Sequence, residues 1–95
     1  MAIALIQELS EATVDNYDQI NARMDVNNNP PDGLIVHTAG EKEGGGVRIV
    51  DVWESLDHYN RFREERLMEA VTAVMGEPTG PPEMTTYELH NVLIP

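Results

Sequence analysis

Two histidines and a small group of aromatic and polar residues are the side chains of this sequence that could carry out chemistry. Histidine can transfer a proton at physiological pH, which makes His37 and His90 the candidate catalytic residues. A second group could form the wall of a pocket for a flat aromatic or otherwise apolar small molecule. These candidate substrate-binding residues are Tyr17, Asn21, Trp53, Phe62 and Arg66.

Each of these residues also has a purely structural interpretation. A strand histidine can be a hydrogen-bonded residue of the sheet or of a dimer interface, and Trp53, the only tryptophan, can simply fill the core. Arg66 falls in the apolar sector of its predicted helix, where it must find a partner. Its side chain could instead reach out and pair with Asp51 or Glu54. Both interpretations stay open on the sequence alone.

The composition excludes several classes of partner and site. The 95 residues include 17 acidic and 6 basic side chains, and the formal charge of −11 repels phosphate backbones and anionic lipid headgroups. We therefore expect neither nucleic acid nor a membrane as a partner. The absence of cysteine excludes disulfides and thiolate catalysis and is typical of a reducing compartment, so we predict a cytoplasmic protein. No metal or cofactor motif occurs, and we predict none bound.

Hydrophobic periodicity and turn residues predict a single domain of four strands and two helices over residues 1–95. Thr13 and Ser55 are suitable N-caps of the two helices. Gly76 is predicted to end the second helix in the left-handed conformation, before a stiff connector that includes Pro81 and Pro82. The predicted strands are 3–8, 34–39, 47–53 and 84–89, with helices from Thr13 to the breakers at 27–33 and over 56–75.

This order of elements, β-α-β-β-α-β, predicts a ferredoxin-like α+β fold. Right-handed crossovers give a four-stranded antiparallel sheet of order 4-1-3-2 with both helices on one face. His37 and His90 then fall on opposite edge strands and need not meet within one subunit.

Both faces of the predicted strands carry apolar residues, so the face opposite the helices must be covered. We predict a homodimer with the two sheets face to face, because a two-fold interface uses the same patch twice. The alternative is a monomer whose long loops and tail cover that face.

Several short motifs resemble the small dimeric α+β-barrel proteins of the antibiotic biosynthesis monooxygenase superfamily. They are Leu-Ile-Val-His at 34–37, Asp-Val-Trp-Glu-Ser at 51–55, Phe-Arg-Glu-Glu-Arg-Leu at 62–67, Pro-Pro-Glu at 81–83 and Leu-His-Asn at 89–91. The resemblance covers essentially the whole chain and implies a dimeric barrel. The superfamily includes cofactor-independent oxygenases of polycyclic phenols, haem-degrading enzymes and proteins with no assigned reaction, and the fold alone does not choose among them.

The resemblance argues against haem degradation. Haem-degrading members place a tryptophan and a histidine ligand in the second helix, whereas here that helix has only His58, in its first turn, and no tryptophan.

Two hypotheses about function remain. The first is a cofactor-independent monooxygenase in which His37 or His90 takes a phenolic proton, while Arg66 and Asn21 stabilise the resulting anion. The second is a non-catalytic dimer that binds a small molecule or is purely structural.

Overall fold

The structure is a computed structural model. It describes residues 1–78, 80 and 83–95. The second helix is continuous but has three parts, because a π-helical turn interrupts it. The elements are β1 (Ile3–Leu9), α1 (Val14–Met24), β2 (Leu34–Glu41), β3 (Val47–Trp53), α2 (Leu56–Phe62), the π-helical turn (Arg63–Leu67), α3 (Met68–Met75) and β4 (Glu83–Glu88).

The four strands form one antiparallel sheet of order β2-β3-β1-β4. This order confirms the prediction of a ferredoxin-like α+β fold, since it is the predicted 4-1-3-2 order read from the other edge. The strand bounds agree with the predicted ones to within two residues, and β3 agrees at both ends.

The two helices begin where the sequence predicts. The hydroxyl of Thr13 accepts a hydrogen bond from the Asn16 backbone N–H, and the Asn16 side chain accepts one from Thr13, which completes a capping box. The Ser55 hydroxyl accepts from the backbone N–H of His58 in the same way. Both predicted N-caps are therefore confirmed, because these side chains satisfy amide groups that the helix leaves without partners.

The predicted helix end at Gly76 is only partly right. Gly76 ends α3 and has a positive φ of 85°, but its ψ of −176° lies outside the left-handed helical region. The backbone takes an extended conformation that is open essentially to glycine alone. The predicted connector residues Pro81 and Pro82 lie outside the described residues.

The core lies between the helices and one face of the sheet. Along β3, the side chains of Val47, Ile49, Asp51 and Trp53 point to this face and are buried, as the strand alternation predicts. Trp53 packs with buried Ile3, Leu5 and Tyr59, and this cluster is the larger of two.

The opposite face of the sheet is apolar and open. The strand register aligns Val36, Val52, Ala4 and Tyr87 in one row across all four strands on this face. The exposed fraction is 39% for Val36, 42% for Val50 and 53% for Tyr87. These values are high for apolar side chains in one central strand and two edge strands. In the described part of the chain, no helix has the length and apolar character needed to cross a membrane.

Gly33 provides a test of how tightly the turn before β2 is packed. Gly33 and Gly44 have the same φ of 87°, but a Cβ on Gly33 would overlap the His58 ring, whereas one on Gly44 would meet open space. We expect Gly44→Ala to lower the free energy of unfolding by about 1 kcal/mol through backbone strain alone. Gly33→Ala should cost about 1–3 kcal/mol more, because it adds a steric clash. Urea unfolding of both variants measures the difference, and equal losses would contradict this packing.

Candidate active site

A cavity of about 250 Å³ lies between the sheet and the helices. Its wall is mostly apolar, and a few polar side chains from β1, α1, β2 and β3 reach it, as is usual for small-molecule sites. Five of the residues predicted from the sequence line this cavity: Tyr17, Asn21, His37, Trp53 and Phe62.

A continuous chain of hydrogen bonds connects four of the lining residues. The Tyr17 hydroxyl lies 2.5 Å from Nε2 of His37, and Nδ1 of His37 lies 2.7 Å from Oδ1 of Asp51. The other carboxylate oxygen of Asp51 accepts a hydrogen bond from Nε1 of Trp53 at 3.1 Å. The chain therefore runs from α1 through the edge strand β2 to the central strand β3.

A β-bulge explains how His37 reaches this face of the sheet. Leu34 pairs with Trp53 and His37 pairs with Asp51, with a register shift between Leu34 and Val36. In a regular strand, residues 34 and 37 would point to opposite faces, because side chains alternate. The extra residue of the bulge restores both to the cavity side.

Asp51 is the one buried charged side chain among the described residues, with 4% of its surface exposed. A buried carboxylate is costly unless it is paired and hydrogen-bonded, and both oxygens of Asp51 have partners. Because the carboxylate only accepts, the hydrogen-bond network assigns a proton to Nδ1 of His37, and in the neutral imidazole this leaves Nε2 without one. Nε2 is then an acceptor, and the Tyr17 hydroxyl donates to it.

The surroundings of Tyr17 keep its phenol protonated. Burial raises the pKa of Tyr17 above its ordinary value, the Asn21 amide opposes this rise, and the charges of Asp51 and Asp18 add to it. Burial also raises the pKa of Tyr59, another lining residue, while the charge of Arg63 opposes this rise and that of Asp51 adds to it. Tyr17 therefore keeps a proton that it can donate to Nε2 of His37.

Arg66 is not among the residues that line the cavity. Its Nη2 donates to the backbone carbonyl of Met24 at 2.7 Å, at the end of α1, and its guanidinium lies 5.6 Å from the centre of the Phe62 ring. The sequence offered two interpretations, an anion-binding residue in the pocket or a partner of Asp51 or Glu54, and the observed contact is neither. Arg66 instead satisfies a carbonyl that the end of the helix leaves free.

His90 lies apart from the chain of hydrogen bonds. It is exposed and follows β4, on the opposite edge of the sheet from β2. Three strand spacings, about 14 Å, separate the two edges, so His37 and His90 do not share a site within one chain.

Asp51 is a candidate site residue that sequence reasoning missed. The sequence analysis considered Asp51 only as a partner for an arginine. Its position between Ile49 and Trp53 on one strand face indicates that its charge is buried. In the residues that the structure describes, no three His, Asp or Glu side chains come together as a metal site requires.

The fold is similar to several solved structures. A putative antibiotic biosynthesis monooxygenase from Deinococcus radiodurans is 16% identical with a TM-score of 0.65, and the match covers 99% of this chain and 97% of that one. SnoaB, a cofactor-independent oxygenase from Streptomyces nogalater, is 13% identical with a TM-score of 0.61, over 97% and 95% of the two chains.

A third similar structure is a monooxygenase from the gene ActVA-Orf6 of Streptomyces coelicolor, solved with the ligand nanaomycin D. It is 17% identical with a TM-score of 0.60, over 99% of this chain and 91% of that chain. No protein-family model and no curated protein sequence matches this chain. The resemblance predicted from the sequence is confirmed at the level of the fold: this protein has the fold of the antibiotic biosynthesis monooxygenases.

Proposed function

We propose that this protein is a small monooxygenase that oxidises a phenolic substrate with O₂ without a cofactor. The observation that carries the proposal is the hydrogen-bond chain from Tyr17 through His37 to buried Asp51, which begins at the wall of an apolar cavity. Similar folds belong to a cofactor-independent oxygenase and to a monooxygenase, which supports this assignment.

The first step is removal of the substrate's phenolic proton. The Tyr17 hydroxyl is hydrogen-bonded to Nε2 of His37, so the substrate cannot reach this nitrogen directly. The substrate hydroxyl passes its proton to the Tyr17 oxygen, and Tyr17 gives its own proton to Nε2. Asp51 holds His37 in the tautomer that can accept this proton and stabilises the imidazolium that forms.

The second step is oxidation of the phenolate. One atom of O₂ enters the ring at a C–H position, the other leaves as water, and the product is a quinone. All four electrons that reduce O₂ come from the substrate, so the balance needs no metal, flavin or haem. Loss of the phenolic proton promotes the reaction because it makes the ring more electron-rich.

We assign the stabilisation of the phenolate to Asn21 and His37. The sequence assigned this role to Arg66 together with Asn21, but of these two only Asn21 lines the cavity. A preorganised amide donor of this kind is typically worth about 10²–10³ in rate. The imidazolium formed at His37 supplies a positive charge that the Tyr17 hydroxyl separates from the developing anion.

A non-catalytic ligand-binding protein is the second candidate function. The observation that favours it is that Tyr17 already satisfies Nε2 of His37, so the hydrogen-bond chain is complete without a substrate. This function requires the same cavity, and it differs in predicting ligand binding without consumption of O₂.

We further propose that the protein is a homodimer that buries the open face of the sheet. The row of Val36, Val52, Ala4 and Tyr87 and the neighbouring Val50 would meet their counterparts across a two-fold axis. The cavity lies on the other face, between sheet and helices, so each subunit would have its own. The cytoplasmic location stays a prediction.

Oxygen uptake with 1-naphthol as substrate tests the catalytic function. We expect saturable uptake of one O₂ per naphthoquinone formed, and a fall of about 10²–10⁴ in kcat for His37→Gln, because that variant loses the proton acceptor. His90→Gln is the matched control and should stay within twofold of the wild type, since His90 lies apart from the cavity. Uptake that neither saturates nor depends on His37 would contradict the proposal.

Asp51→Asn tests the orienting role of the buried carboxylate. The amide can still accept from Trp53, but it would then donate to His37 and leave the proton on Nε2, where it blocks proton transfer. We expect kcat to fall by about 10⁴ while the fold is retained, as for the aspartate of serine protease triads. Steady-state kinetics and urea unfolding give the two readouts, with Asp32→Asn at an exposed position as the control for charge. Full activity of Asp51→Asn would rule out this role.

The dimer is tested by Val50→Asp and the control Val14→Asp. The two valines are 42% and 41% exposed, but only Val50 lies on the open sheet face. Light scattering after size-exclusion chromatography should give a dimer for the wild type and Val14→Asp, and a monomer for Val50→Asp, because the interface would bury an unpaired charge. A monomeric wild type at micromolar concentration would refute the dimer.

A further inference from the structure

We infer that the cavity accepts uncharged aromatic hydroxyl compounds of one or two rings and rejects both carboxylated analogues and three-ring systems. The inference rests on the proposed function for the role of the hydroxyl, and it adds the size and charge of the substrate. Three features of the structure lead to it: the volume of the cavity, the absence of a cationic lining residue among those described, and the field of the neighbouring acids.

The cavity has room for about ten non-hydrogen atoms between its walls. An apolar protein cavity of about 150 Å³ holds benzene, which corresponds to about 25 Å³ for each heavy atom. On this scale the cavity of about 250 Å³ surrounds a two-ring compound, whereas the third ring of a three-ring compound would have to lie outside the walls.

The inner wall of the cavity is fixed and does not easily enlarge. Trp53 and Tyr59 are only 1% and 2% exposed, and their rings meet edge to face with centroids 5.5 Å apart. The ring centroids of Phe62 and Trp53 are 5.6 Å apart, and Asp51 accepts a hydrogen bond from the indole nitrogen. Because close-packed cores resist displacement, a larger ligand would have to break these contacts.

The electrostatics of the cavity oppose an anion. Among the described residues that line it, none is lysine or arginine, whereas Asp51 is acidic. Arg66, the cation predicted for this site, donates instead to the carbonyl of Met24. A carboxylate in the cavity would therefore be buried beside Asp51 with no lysine or arginine among the described lining residues to pair with it, which is unfavourable.

The charged residues around the cavity also act on the phenol of Tyr17, which is part of the cavity wall. Burial is the main cause of the raised pKa of Tyr17, and the charges of Asp51 and Asp18 add to the rise, so these two acids oppose negative charge at the position of this phenol. At Tyr59 the charge of Arg63 acts in the opposite direction and lowers the pKa. A neutral hydroxyl meets no such penalty, and it has Tyr17 and Asn21 beside it as hydrogen-bonding groups. The substrate thus enters protonated and becomes an anion only as His37 becomes a cation.

Binding of three probes to the whole protein tests this selectivity. Trp53 is the only tryptophan and lies in the cavity wall, so its fluorescence reports occupancy, and calorimetry provides a second readout. We expect 2-naphthol to bind at pH 7 at least about tenfold more tightly than 2-naphthoate, given the cost of one like charge at short range. The three-ring 2-hydroxyanthracene should not compete with 2-naphthol.

Two variants separate size from charge. Ile20→Phe places a larger side chain at a buried lining position and should abolish 2-naphthol binding, while Val14→Phe on the exposed part of the same helix should not. Asp51→Asn removes the acidic charge and should raise the affinity for 2-naphthoate about tenfold relative to that for 2-naphthol. If Ile20→Phe fails to fold, the Asp51→Asn result still decides the charge selectivity.

The outcomes distinguish this inference from the proposed function. Selective binding of 2-naphthol without O₂ consumption would support the inference and refute the oxygenase. Equal binding of 2-naphthol and 2-naphthoate, tight binding of 2-hydroxyanthracene, or no binding of any probe would overturn the inference, whatever the oxygen measurements show.

Discussion

The pairing of one buried carboxylate determines the geometry of the site. Asp51 is 4% exposed on a strand face that is otherwise apolar, and an unpaired charge there would be far too costly to keep. Its two oxygens bind His37 and Trp53. These bonds orient the imidazole, fix its tautomer, hold the indole in the cavity wall and favour the bulged register of β2. The proton path that we propose and the shape of the cavity therefore depend on the same contact.

The apolar residues on the two faces of the sheet are covered in different ways. The helix face is covered within the chain, where Trp53, Tyr59 and Leu5 are almost fully buried. The other face has an apolar row across all four strands in which Val36 and Tyr87, on the two edge strands, are exposed, and the helices cannot reach it. A domain of this size gains much of its stability from any further burial, which is why a second copy of the chain is the cover that we propose. The site and the proposed interface are thus on opposite sides of one sheet.

Local signals explain why the fold was predictable to this extent. Thr13 and Ser55 cap helices through contacts within three residues, and the β-rich segment at 47–53 ends directly before Ser55. Such signals do not depend on distant parts of the chain. Gly76 shows their limit, because a glycine marks the end of a helix without fixing which of several glycine conformations the backbone takes.

The sequence by itself determined the order of elements, the strand order and a set of candidate residues that includes His37, Tyr17 and Trp53. Only the tertiary structure decided which of them act together. Asp51 is part of the site because the strand register places it opposite His37. Arg66 is not part of it, because its guanidinium donates to the carbonyl of Met24. Residue types and helical periodicity show which face a side chain occupies. Its partners depend on the register between strands and on a one-residue bulge, which are set by packing between segments far apart in the chain.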